Sequence, residues 1–166
     1  FSTSYAKEVK VGIILGFTGP IESLTPGMAA GAELAFNEAS NSGALLGGST
    51  VSSIRADSTC IDSAAAASAA EFLISQGVTA IMGADCSGVT GAVLSNVAVP
   101  NGVPMISPSA TSPALTTAED NGLFFRTAPS DARGGEVLAD ITSDRGISSV
   151  AILSLIHISE PTRQDS

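Results

Sequence analysis

Short apolar runs rich in β-branched residues alternate along the chain with longer segments of helical periodicity. The runs occupy residues 9–15, 50–56, 79–82, 103–106, 123–126 and 149–153. Each is strand-sized and far shorter than the roughly 20 apolar residues that a membrane-spanning helix needs. The pattern therefore predicts a series of short, buried β-strands.

The segments between these runs carry signals for the start and end of helices. Thr25 followed by Pro26 predicts the start of a first helix, with Thr25 as its N-cap. Asp62 is the predicted N-cap of a second helix, which ends before Gly77. Residues 131–143 predict a later helix. The predicted apolar faces are Met28, Ala32, Ala35, Phe36 and Ala39 in the first helix and Val89, Val93 and Val97 in the one after residue 87.

The alternation of strands and helices indicates a three-layer α/β fold, with a mostly parallel sheet flanked by helices. Right-handed crossovers bring the carboxyl ends of parallel strands to one edge of the sheet. Ligands of such sheets bind at that edge, near the point where the strand order switches. The loops that follow the strands are therefore the candidate functional region.

Composition narrows the possible functions. A net charge of −9, from 7 Lys and Arg against 16 Asp and Glu, argues against a nucleic-acid-binding protein. One histidine, His157, and two cysteines provide no metal-binding cluster. The sequence has no phosphate-loop, dinucleotide-binding or serine-hydrolase motif. Since no nucleophile–base pair can be assembled, we expect neither catalysis nor a metal ion or cofactor.

Three loops carry the polar groups of interest: residues 16–26, 84–88 and 107–115. Ser87 is the predicted N-cap of the helix that follows it, where amides and the helix dipole suit a carboxylate; alternatively, it only caps that helix. Residues 107–115 offer hydroxyls and carbonyls between two prolines, which suits a small zwitterion or a merely solvated loop.

Cys60 and Cys86 each follow a predicted strand, at the same edge of the sheet. A disulfide between them would stabilise the fold by about 3–4 kcal/mol in the chain-entropy model and would indicate an oxidising compartment. Two buried thiols that behave as small apolar groups are the alternative. The spacing alone does not choose between these.

Several motifs occur in the order typical of one known family. They are residues 10–20 with a Thr-Gly-Pro turn, 31–33 (Gly-Ala-Glu), 56–60 (Ala-Asp-Ser-Thr-Cys), 83–87 (Gly-Ala-Asp-Cys-Ser), 105–116 (Met-Ile-Ser-Pro-Ser-Ala-Thr-Ser-Pro-Ala-Leu-Thr) and 125–127 (Phe-Arg-Thr). Over residues 9–152 the chain thus resembles the periplasmic Leu/Ile/Val-binding proteins, the type I solute-binding proteins of ABC importers.

The resemblance implies a Cys60–Cys86 disulfide. It also implies that the α-carboxylate and α-amino group of an amino acid, or a related amide ligand, are bound by Ser87, Ser109, Ala110 and Thr111. Leu24 stands where well-known members place an aromatic residue over the ligand, which implies a different side-chain preference. The implied partner is an inner-membrane ABC permease, and the implied protein is periplasmic and monomeric at full length.

The same resemblance predicts how the chain is organised. Residues 1–127 correspond to an incomplete ligand-binding lobe 1, and residues 128–152 to the first helix and strand of lobe 2. We expect residues 153–166 to be a non-native tail that includes His157, because residues 153–163 resemble a translated sequencing adapter. No signal peptide is visible at the start of the chain. A ligand-sensing receptor or an amide-responsive regulator of the same fold is the alternative function.

Overall fold

The computed structural model describes residues 7–151, and these divide into two compact units on either side of the Ala132–Arg133 bond. The first unit holds a 5-stranded parallel sheet with the strand order β2-β1-β3-β4-β5. The strands are β1 (Glu8–Leu15), β2 (Thr50–Asp57), β3 (Ala80–Gly83), β4 (Met105–Ser107) and β5 (Phe124–Arg126). The parallel α/β fold predicted from the alternating pattern is confirmed.

The helices between the strands cover the two faces of the sheet. They are α1 (Thr25–Asn41), α2 (Ser63–Ser75), α3 (Ser87–Val93) and α4 (Val99–Asn101), with a π-helical turn (Leu94–Ala98) between α3 and α4 and short 3₁₀ turns at Leu46–Gly48 and Pro113–Thr116. A further helix, α5 (Asp131–Asp144), follows β5 and lies mostly in the second unit. No helix within residues 7–151 is long and apolar enough to cross a membrane.

The central strand β1 contributes to the core on both faces because its side chains alternate. Ile14 joins the larger cluster beneath α2 and α3, which also contains Leu73, Ile81 and Met105. On the opposite face, Ile13 and Leu15 pack with Ala29 of α1 and its neighbours. These two clusters confirm the three-layer arrangement. The predicted apolar positions Val89, Val93 and Val97 are all fully buried.

The start of α1 differs from the prediction. The N-cap is Leu24, and Thr25 is instead the first helical residue, fully buried. Its hydroxyl shares its one proton between the carbonyl oxygens of Gly16 at 3.1 Å and Glu22 at 3.4 Å, because a buried hydroxyl needs an acceptor. Further along α1, Ala29 is buried, whereas Ala35, a predicted apolar position, is exposed.

The predicted strand at residues 149–153 lies partly outside the described residues. Residues 149–151 are not in a strand, and residues 133–151 contain no other strand with which one could pair. A strand needs such a neighbour to satisfy its backbone groups. The predicted non-native tail at 153–166 lies outside the described residues.

Gly83 ends β3 against the central strand. Its φ is +130°, and a Cβ at this position would collide with the carbonyl oxygen of Ile14 and lie 2.8 Å from Ile14 Cγ2. We therefore expect Gly83→Ala to lower the free energy of unfolding by about 2–4 kcal/mol, through backbone strain and overpacking. Chemical denaturation measures the change.

Gly31→Ala is the matched control for Gly83→Ala. Gly31 lies on the exposed side of α1, and nothing is within 4 Å of a Cβ placed there. Because alanine favours the helical conformation, this change should increase stability by up to about 1 kcal/mol. Equal effects of the two substitutions would contradict the proposed collision.

Candidate ligand-binding site

The strand order switches between β1 and β3. From β1 the chain passes to β2 on one side, and it then returns to β3 on the other. The pairings Leu15↔Asp57 and Ile14↔Gly83 place the carboxyl ends of these three strands side by side. The loops that follow them meet at the edge where open parallel sheets bind ligands.

A buried carboxylate joins these three strand ends. Asp85 is 3% exposed. Its Oδ2 accepts the Gly16 N–H at 2.7 Å, and its Oδ1 accepts the Ser58 hydroxyl at 3.2 Å and the Cys86 N–H at 2.9 Å. Neutral donors from the ends of β1, β2 and β3 thus satisfy one negative charge.

The disulfide implied by the family resemblance is present. Cys60 and Cys86 are bonded, with their Cα atoms 5.2 Å apart, so the alternative of two thiols is excluded. The bond ties the loop after β2 to Cys86, the N-cap of α3. Thr59 and Cys60 both have positive φ angles, of 58° and 70°, in this loop.

Asp57, at the end of β2, binds the loop that follows β1. Its carboxylate accepts the Thr18 hydroxyl at 2.5 Å, the Thr18 N–H at 3.3 Å and the Thr59 N–H at 2.8 Å. Burial alone would raise the pKa of Asp57. The hydrogen bonds from Thr18, Thr59 and the Phe17 amide outweigh burial and hold the pKa below its usual value.

Ser107 folds the start of the loop after β4. Its hydroxyl donates to the Ala84 carbonyl at 2.5 Å and accepts the Ala110 N–H at 3.0 Å and the Ser109 N–H at 3.4 Å. The Ser109 hydroxyl in turn donates to the Asp85 carbonyl at 3.0 Å. The loops after β3 and β4 are therefore hydrogen-bonded to each other.

Arg126, at the end of β5, supports the outer part of the same loop. Its guanidinium donates to the carbonyl oxygens of Ala110 at 3.3 Å and Ser112 at 2.8 Å, and to the Thr116 hydroxyl at 2.5 Å. One guanidinium thus orients two loop carbonyls through Nη1, while its Nη2 binds the Thr116 hydroxyl.

Ser87 is not the N-cap of α3, contrary to the sequence-based expectation. Cys86, which is also bonded to Cys60, occupies that position. The Ser87 hydroxyl instead accepts the Ser112 N–H at 3.1 Å. It therefore joins the first turn of α3 to the loop after β4.

The other predicted site residues occupy different environments. Ala110 is fully buried, whereas Leu24 is 58% exposed at the N-cap of α1. Thr111 contacts Asp131: its hydroxyl donates to Asp131 Oδ2 at 2.9 Å, and its carbonyl accepts the Asp131 N–H at 2.9 Å. Hydrogen bonds thus bring Ser87 and Ser109 into one network of loops, in which Leu24 takes no part.

Sequence reasoning missed the residues that support this network: Asp85, Ser107, Arg126 and Asp131. Asp85 carried the clearest signal. It lies two residues after a buried apolar strand, and an aspartate in such a place is almost never buried unless it has partners. The other three lie inside the family motifs or at a predicted helix start, without a signal for their long-range contacts.

The parallel sheet, the bonded cysteines and the polar loops at the switch point define a periplasmic-binding-protein type of lobe. The profile of the periplasmic binding protein family matches residues 8–156, and the chain belongs to that family.

Among its relatives is a Leu/Ile/Val-binding protein homolog of Brucella melitensis, 33% identical over 141 residues, which cover 84% of this chain and 36% of the relative. A branched-chain amino acid transporter substrate-binding protein from Streptococcus pneumoniae, solved with isoleucine, is 30% identical with a TM-score of 0.72; the match covers 83% of this chain and 38% of that one. A solute-binding protein of an ABC transporter from Rhodopseudomonas palustris, solved with benzoate, is 27% identical with a TM-score of 0.71, over 84% and 38% of the two chains. The chain therefore spans little more than a third of the length of these relatives.

Asp85→Ala should leave the amides of Gly16 and Cys86 and the hydroxyl of Ser58 buried without their acceptor. We expect the free energy of unfolding to fall by about 2–4 kcal/mol, measured by chemical denaturation. Glu71→Ala, which removes an exposed carboxylate from α2, should change it by less than about 0.5 kcal/mol. An Asp85→Ala protein as stable as Glu71→Ala would contradict the role given to this carboxylate.

The lowered pKa of Asp57 predicts an acid-dependent contribution to stability. Ionised Asp57 stabilises the fold fully above its unfolded-state pKa, about 4, and this contribution disappears as the pH falls through the lower folded-state pKa. Asp57→Asn should therefore lose less stability than the wild type between neutral pH and about pH 3. Denaturant titrations at several pH values measure this. If the wild type and Asp57→Asn lost the same amount of stability over this pH range, Asp57 would make no such contribution.

Proposed function

We propose that this chain is the first ligand-binding lobe of an extracytoplasmic substrate-binding protein of an ABC importer. In the complete protein, two lobes close around a branched-chain or related amino acid and deliver it to an inner-membrane permease, without making or breaking bonds. One observation carries the proposal: the loops at the switch point form a hydrogen-bonded surface of hydroxyls, amides and carbonyls, in a chain of the periplasmic binding protein family.

Ser87, Ser109, Ala110 and Thr111 are the proposed ligand-binding residues of this lobe. Ser87, Ser109 and Thr111 carry hydroxyls, neutral polar groups that suit a zwitterion whose own charges cancel. Ala110 is the small, buried residue between the last two. When a second lobe excludes water, hydrogen bonds from such groups strengthen because the local dielectric constant falls. Leu24 is exposed on the loop that leads into α1, and we propose that it contacts the ligand side chain.

Residues 1–127 are the proposed lobe 1, and residues 128–152 the proposed start of lobe 2. The division of the chain between Ala132 and Arg133 supports a boundary in this region. The Cys60–Cys86 bond supports an oxidising compartment such as the periplasm. We propose that the complete protein acts as a monomer, with the amino acid and the permease as its partners.

The ligand is proposed to be an amino acid because the relatives with the highest identities given above carry that specificity in their names. The Brucella protein is described as Leu/Ile/Val-binding, and the Streptococcus protein was solved with isoleucine. The Rhodopseudomonas protein, with benzoate, indicates the main competing ligand class.

Titration calorimetry of the intact two-lobe protein with leucine, valine and benzoate tests this function. We expect micromolar or tighter binding of at least one of the two amino acids and much weaker binding of benzoate. Ser87→Ala should weaken amino acid binding about fivefold to tenfold, the cost of one hydrogen bond. Ser95→Ala, which removes an exposed hydroxyl just after α3, should leave affinity unchanged. Preferential binding of benzoate, or no binding of either amino acid, would overturn the proposal.

A further inference from the structure

The hydroxyl of Thr111 is held by a residue outside its own loop. Oγ1 lies 2.9 Å from Oδ2 of Asp131, the first residue of α5, and both residues belong to the first compact unit. A second hydrogen bond, from the Asp131 N–H to the Thr111 carbonyl at 2.9 Å, fixes the two backbones together. The pair is thus joined at two points.

The chemistry of the pair determines the direction of the side-chain hydrogen bond. A carboxylate has no proton, so the hydroxyl must be the donor, and a hydroxyl has only one proton to donate. Toward any further partner, Thr111 Oγ1 therefore offers only lone pairs. Asp131 makes Thr111 a hydrogen-bond acceptor.

The same argument assigns the neighbouring hydroxyls as acceptor or donor. The proton of Ser109 is used on the Asp85 carbonyl at 3.0 Å, which leaves Ser109 Oγ as an acceptor as well. Ser87 Oγ accepts the Ser112 N–H at 3.1 Å and keeps its own proton for donation. The loop after β4 thus presents acceptors, and the start of α3 presents a donor.

We propose that Asp131 is a specificity-determining positioning residue, which acts through Thr111 to make the site select ligands with an ammonium group. Thr111 and Ser109 accept hydrogen bonds from the ligand ammonium, while Ser87 donates to its carboxylate. This inference rests on the proposed function and adds to it. It explains why a carboxylic acid without an amino group should bind poorly: the acceptors of Thr111 and Ser109 would face it without a donor.

Two pairs of probes isolate the ammonium group: leucine with isocaproate, and valine with isovalerate. The members of each pair share the carboxylate and the branched side chain and differ in the amino group. The measured quantity is the ratio of their affinities for the intact two-lobe protein, determined by calorimetry. A merely structural role of Asp131 would weaken both members of a pair equally and leave this ratio unchanged.

Asp131→Ala should lower the ratio about tenfold or more, because the freed Thr111 hydroxyl can rotate and donate its proton to a carboxylate. Asp131 is exposed, so this truncation leaves no cavity in the core. Asp131→Asn should keep most of the ratio, since its amide oxygen still accepts the Thr111 proton. If Asn lowers the ratio as far as Ala, the carboxylate acts through its charge and the inference is wrong.

Thr111→Val tests whether Asp131 acts through this hydroxyl. The single substitution should lower the ratio as Asp131→Ala does, and the double variant should lower it no further. Additive losses, or an unchanged ratio in Asp131→Ala, would overturn the inference while leaving the proposed function intact. Absence of any amino acid binding by the wild type would overturn both.

Discussion

The sheet edge that carries the candidate site depends on the burial of one carboxylate. A buried charge is costly unless hydrogen bonds compensate it, and neither ion pair within residues 7–151 includes Asp85. Donors from Gly16, Ser58 and Cys86 must therefore stay within reach of its oxygens. Because each donor follows a different strand, this requirement fixes three loops relative to one another. The Asp85 carbonyl extends the constraint to Ser109 in the loop after β4.

The order and faces of the elements could be predicted because burial leaves a periodic trace in the sequence. Ile13 and Ile14 point to opposite faces of the sheet, and both are fully buried, so the strand appears as a continuous apolar run. The start of α1 could not be predicted, since a threonine before a proline suits a cap in isolation. Only the carbonyl of Gly16, brought close by the fold, makes Thr25 a buried donor instead. Local preference gave way to a tertiary contact there.

The position of the candidate site could be predicted from the strand topology, whereas its hydrogen bonds could not. Parallel strands put the loops that follow them at one edge, whichever residues those loops contain. Which hydroxyl binds which partner depends on groups that are distant in sequence, such as Ser112 for Ser87 and Asp131 for Thr111. The cysteine spacing alone was compatible both with two free thiols and with a disulfide. Family resemblance supplied the pairing that the spacing could not.

Ligand class in this architecture is not decided by the fold alone. Relatives solved with isoleucine and with benzoate match this lobe with nearly equal TM-scores, 0.72 and 0.71. A hydroxyl is both donor and acceptor until a neighbour uses one of these capacities. Asp131 accepts the only proton of the Thr111 hydroxyl, and the Ser112 N–H donates to a lone pair of the Ser87 hydroxyl. We propose ligand contact for neither Asp131 nor Ser112. With the proposed role of Asp131, a loop of unchanged sequence would present acceptors or donors according to the residues behind it. Ligand preference could then change without any change in the residues proposed to touch the ligand.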